Sequence, residues 1–142
     1  MSDYPTLTPH VIGETEKTLN AFLGRLLAGT GVAEPQWVIL SVAITGGGSI
    51  TQQQAAFALK ITEPQARDQL DQLIAAGYLT DGNSATQRAR DLFARVRAAT
   101  HEITERLWGD LPAEDLATAG RVLSVITERA NAELAELARV TT

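Results

Sequence analysis

The segment from Ser49 to Leu79, SITQQQAAFALKITEPQARDQLDQLIAAGYL, constrains this chain more than any other stretch. It spells two short helices joined by a tight connection. Thr51 stands where an N-cap belongs, and Gln54, three residues on, is its capping-box partner. Ala55, Ala56 and Leu59 give the first helix a small apolar face. Thr62 caps a second helix with Pro64 in its first turn, where proline is tolerated because its missing N–H would have no helical partner. Ala66, Leu70, Leu73 and Ile74 fall on one side of that helix, and Gly77 stops it.

Two capped helices of this size with a stop after the second are a helix-turn-helix. Helical spacing extends to both sides. A first long helix is expected from about Pro9 to Leu27, after a loose arm over residues 1–8. Ile12, Thr15, Leu19, Phe22, Leu23 and Leu26 recur along it, and Gly29 and Gly31 follow its end. Pro35 opens a helix carrying Trp37, Leu40 and Ile44, broken by Gly46-Gly47-Gly48. That triplet lacks the lysine and following hydroxyl residue of a phosphate loop and reads as a connector. Thr80-Asp81-Gly82-Asn83-Ser84 is a turn with Asp-Gly at its centre. Another long helix starts near Thr86 with Leu92, Val96, Ala99, Ile103 and Leu107 on one stripe, and Gly109 stops it. The last begins around Pro112, with Glu114 and Asp115 at the positive end of its dipole. Its stripe of Leu116, Ala119, Leu123, Ile126, Ala130, Leu134 and Leu137 repeats at close to seven.

These strings resemble the MarR family of winged-helix transcription regulators. The resemblance rests on Pro35-Gln36-Trp37, on Thr51 through Leu59, on Ile61-Thr62, and on Leu70-Asp71-Gln72-Leu73 followed by Gly77-Tyr78-Leu79. Thr86 to Arg90 is similar to the family's Leu-Thr-x-x-Gly-Arg start of a long helix, with Ala89 in the glycine's place. The likeness spans nearly all 142 residues. It implies a mainly α fold of about six helices in one domain over 1–142, a winged helix-turn-helix with a minimal β-wing. Residues 35–100 would form the DNA-binding lobe, including the long linking helix. Residues 9–30 and 110–140 would be dimerisation helices joining two copies. The surplus apolar surface of the first and last helices points the same way, since a second copy would bury it.

Composition narrows the alternatives. Aromatic residues make up 5% of the chain while alanine and leucine abound, which favours helices over a β-sandwich. No apolar run approaches membrane-spanning length and no charged-then-apolar leader opens the sequence, so a cytoplasmic protein without membrane contact is expected. The absence of cysteine excludes disulfides and thiolate metal sites. His10 and His101 lack the carboxylate spacing of a zinc site. No convergent acid, base or nucleophile set has recognisable spacing, and the Ser and Thr residues sit mostly at caps and turns. Neither enzyme activity nor a cofactor is expected.

The formal charge of −5 is unlike that of a nucleic-acid binder, but DNA binding needs only a local basic patch. From Ser49 to Leu79, Lys60 and Arg67 stand against Glu63, Asp68 and Asp71, a net charge of −1 on the module that should be most basic. Asp68 falls near the centre of the second helix's outward face, where the family commonly carries a basic residue. Thr80 to Ala85 holds no counterpart of the family's wing arginine and leaves little room for two strands. Arg88, Arg90, Arg95 and Arg97 follow against Asp81 and Asp91, for a net +2 over Thr80–Thr100. They are either phosphate clamps replacing the wing or the solvated face of the long helix.

Two functions follow. One is a homodimeric regulator on double-stranded operator DNA. Thr51 and Gln52 would hold backbone phosphates, Thr62, Gln65, Arg67 and Gln69 would face the groove, and Arg88 and Arg90 would hold flanking phosphates. The resemblance further implies a small, often aromatic effector between the dimer helices and the lobe, with Phe22, Leu26, Trp37 and Phe93 as walls. Ordinary core packing is the alternative role for Trp37 and Phe22. The other function is a protein of this fold that no longer binds DNA and serves as a ligand-binding or heterodimerising module.

Overall fold

A computed structural model describes residues 3–141 and places six helices among them. They are α1 (Pro9–Leu27), α2 (Glu34–Thr45), α3 (Gln52–Leu59), α4 (Glu63–Ala75), α5 (Gln87–Trp108) and α6 (Ala113–Thr141). Residues 3–8 of the expected arm have no regular structure, and Met1 and Ser2 lie outside the described residues. The chain divides after His101, within α5, into two compact units.

In the first unit, Ile39 and Leu40 of α2, Leu70 and Leu73 of α4, and Val96 of α5 are fully buried. Ala43, Ala55, Ala66 and Ala89 are buried among them. Small side chains at these points let the helix axes approach closely while the branched residues fill the space between. Thr8 caps α1, its hydroxyl accepting from the Val11 amide. Gly29 and Gly31 carry the chain away from α1 with positive φ, and Gly77 does the same after α4.

The wing has shrunk to a knot of hydrogen bonds. Two isolated antiparallel bridges, Ser49 with Ser84 and Leu79 with Ala85, are the β structure among the described residues. The Asn83 amide donates to Thr80 O at 2.9 Å and the Thr80 amide to Ser84 O at 2.9 Å. Asn83 has φ of 62°. This is a three-residue hairpin loop ending in a left-handed residue, a role asparagine fills more readily than most. The Ala85 amide then donates to Gly48 O and the Ile50 amide to Asn83 O, so the glycine triplet feeds one edge of the wing.

The second unit holds the end of α5 and all of α6. Among its described residues none of α6 is buried, and Leu123, Ile126, Leu134 and Leu137 are exposed along it at heptad-like spacing. Among the described residues, no helix is long and apolar enough to cross a membrane.

Candidate nucleic-acid interface

Both helices of the motif begin with reciprocal caps. Thr51 Oγ1 accepts from the Gln54 amide at 3.0 Å, while Gln54 Oε1 accepts from the Thr51 amide at 2.9 Å. Thr62 and Gln65 repeat the pattern at 3.2 and 3.0 Å. Lys60, at φ 58° and ψ 44°, ends α3 in the left-handed region and turns the chain towards α4. Gln52 Nε2 donates to Glu63 O at 2.8 Å, fixing the first turn of α3 to that of α4. The cap hydroxyls act as acceptors in these bonds and each keeps its own hydrogen to donate. Thr51, Gln52, Thr62 and Gln65 are thus rigid and still able to donate outward.

Burial along α4 follows the spacing of its sequence. Ala66, Leu70 and Leu73 point to the core, and Asp68 and Gln72 lie at the middle of an exposed face that also holds Pro64, Gln65, Asp71 and Ala75. Arg67 and Gln69 lie about 100° to either side of Asp68 and are half-buried on opposite flanks. Arg67 is also engaged: its Nη2 is 2.8 Å and its Nε 3.0 Å from Asp71 Oδ1. Asp68 has neither a hydrogen-bond nor an ion-pair partner among the described residues.

One polar link is invisible in the sequence. Gln36 of α2 is buried, with its Oε1 accepting from the Ala33 amide at 2.9 Å and its Nε2 donating to Gln72 Oε1 at 2.7 Å. Because the backbone N–H fixes which end of Gln36 is oxygen, the orientation of Gln72 follows. Gln72 turns its oxygen inward and leaves its NH2 on the outward face. No local signal announces a pair 36 residues apart.

Among the arginines that follow the wing, Arg88 and Arg97 lie over aromatic rings. The Arg88 guanidinium carbon lies 4.5 Å from the Tyr78 ring centroid, and its Nη2 is 3.3 Å from the Tyr78 hydroxyl. Arg90 Nη2 lies over Gly48, 3.0 Å from where a β-carbon there would stand. Asp91 accepts from Gln87 Nε2, and none of Arg88, Arg90, Arg95 and Arg97 has a carboxylate partner among the described residues. Trp37 and Phe93 stack with centroids 5.6 Å apart and planes at 22°. Leu26 packs against the core and Phe22 is partly exposed on α1. An open cleft of about 620 Å³ lies elsewhere, lined by Thr30, Tyr78, Arg88, Asp91 and Arg95 among others.

No protein-family model and no curated protein matches the chain. Solved structures do. A MarR family transcriptional regulator from Silicibacter pomeroyi is 19% identical with a TM-score of 0.75, covering 88% of this chain and 90% of its own. A MarR protein from Peptoclostridium difficile is 13% identical with a TM-score of 0.75, covering 94% and 97%. CouR from Rhodococcus jostii, solved bound to p-coumaroyl-CoA, is 17% identical with a TM-score of 0.70, covering 82% and 88%. Capped tandem helices, a bridge-sized wing and long flanking helices define a winged helix-turn-helix protein. More narrowly, the fold is that of the MarR family regulators.

Proposed function

We propose that this protein is a transcription regulator that binds double-stranded operator DNA as a homodimer. The observation that carries the reading is the pair of interlocked capping boxes joined by the Gln52–Glu63 bond. This presents α4 on a rigid support with donors at the start of both helices. Thr51 and Gln52 donate to phosphates, and Thr62 and Gln65 enter the major groove. Arg67 and Gln69 line its two sides. Arg88 and Arg90, free of carboxylates among the described residues, take the phosphates that a longer wing would reach. The exposed apolar stripe of α6 and Phe22 of α1 are covered by the second copy. Residues 9–30 and 110–140 serve dimerisation, and 35–100 serve DNA, within one domain.

A small effector controls release. Support comes from the likeness to CouR, whose structure holds p-coumaroyl-CoA. Phe22, Leu26, Trp37 and Phe93 are the proposed walls, and the Trp37–Phe93 stack would have to open to admit a ring. Like the regulators it resembles, the protein works by binding and not by catalysis.

Footprinting on the DNA upstream of its own gene tests the reading. Two protected half-sites, centred about one helical turn or a multiple apart, are expected. Absence of protection at low salt by a folded dimer would leave the heterodimerising, non-DNA-binding function in its place.

A further inference from the structure

Asp68 and Gln72 are the exposed polar pair at the centre of α4's outward face, one helical turn apart, and their hydrogen-bonding capacities are opposite. Asp68 offers carboxylate oxygens, which accept, and has no partner among the described residues. Gln72 has its oxygen turned towards the buried Gln36 amide, so the group it directs outward is its NH2 donor. An unconstrained glutamine would present oxygen and nitrogen together, the combination that pairs with adenine N6 and N7. The bond from Ala33 N through Gln36 to Gln72 holds the oxygen inward and works against that pairing.

We propose that this fixed acceptor–donor pair sets the base preference of the protein, with Asp68 selecting cytosine and Gln72 selecting guanine in each half-site. The proposal rests on the DNA-binding reading above. In the major groove the cytosine edge offers its N4 amino group as a donor, whereas the adenine edge sets the N7 acceptor beside its amino group and repels a carboxylate. Guanine offers N7 and O6 together, two acceptors matching the two hydrogens of the Gln72 amide. Thymine offers only O4 beside a methyl group. The carboxylate also explains how an acidic helix can belong to a DNA reader. It weakens binding to every sequence through phosphate repulsion and recovers affinity only where a cytosine amino group meets it.

The test is selection of duplexes from a randomised pool by the full-length protein, repeated with Asp68→Asn and Asp68→Ala. Asp68 is exposed, so both variants should fold, and circular dichroism checks this. The wild type should enrich a cytosine at one position of each half-site by about tenfold over other bases. Asp68→Asn should shift that position towards adenine, and Asp68→Ala should flatten it. A second position should favour guanine over adenine. Selected sites whose preferences are the same in all three proteins would overturn the role of Asp68 while leaving the DNA-binding reading intact. A guanine position that takes adenine equally would overturn the role of Gln72. Recovery of no sequence by any folded protein would overturn the DNA-binding reading, and this proposal with it.

Discussion

The phenolic hydroxyl of Tyr78 donates to the backbone carbonyl of Thr30 across 2.7 Å, tying the exit of α4 to the turn between α1 and α2. Tyr78 is buried, and the Arg88 guanidinium packs on its ring. One side chain therefore links the α1–α2 turn, the root of the wing and the first turn of α5. Replacing Tyr78 by Phe keeps the packing and leaves the Thr30 carbonyl without its partner. Urea denaturation should show a loss of about 1–2 kcal/mol. An unchanged midpoint would mean that water already satisfies that carbonyl.

Gly48 tests the wing. Its φ of 106° is strained for any L side chain, and a β-carbon there would press on Arg90 Nη2. Gly48→Ala should therefore cost on the order of 1 kcal/mol or more. It should also displace Arg90 and weaken DNA binding. Full stability in the variant would show that the wing relaxes freely.

Thr62→Ala removes the hydroxyl acceptor at the start of α4. Stability should fall by about 1 kcal/mol, while Thr62→Ser, which restores the acceptor, should lose much less. Thermal unfolding of the two variants side by side separates loss of the cap from loss of the methyl group.

These caps are legible in the sequence because both partners lie three residues apart, and the helix bounds follow from them. The core of the motif is legible too: Ala66, Leu70 and Leu73 share one side by period alone. Contacts set by packing across the chain are not. The Gln36–Gln72 bond joins two helices, and each glutamine by itself resembles a surface residue. Spacing alone makes Arg67 a groove contact, and the same spacing sets it four residues from Asp71, whose salt bridge competes for it. Trp37 and Phe93 both fit the resemblance as pocket walls, and their mutual stacking depends on how α2 meets α5. The wing's brevity is visible in the count of residues from Leu79 to Thr86. Its closure by Gly48 is not.

The apolar stripe of α6 sets the expected assembly. Leu123 and Leu134 are exposed, and burying them against a second copy removes both from water. Sedimentation should give a dimer for the native protein and a monomer for Leu123→Glu combined with Leu134→Glu. A native monomer at micromolar concentration would contradict the proposed dimer.

Charge on α4 predicts a graded response. Asp68→Arg replaces repulsion of phosphate by attraction, so non-specific affinity should rise, and the salt slope should steepen by about 0.9 for each additional phosphate neutralised. Affinity equal to wild type would mean that α4 never meets the duplex.

Operator binding is tested most directly by fluorescence anisotropy of a labelled duplex carrying the upstream region of its own gene, titrated with the protein between about 50 and 200 mM salt. Operator binding predicts saturation at low salt, with a linear decline in log affinity against log salt that becomes shallower when Arg88 and Arg90 are both replaced by Gln. A folded dimer that leaves the anisotropy unchanged at the lowest salt would contradict it.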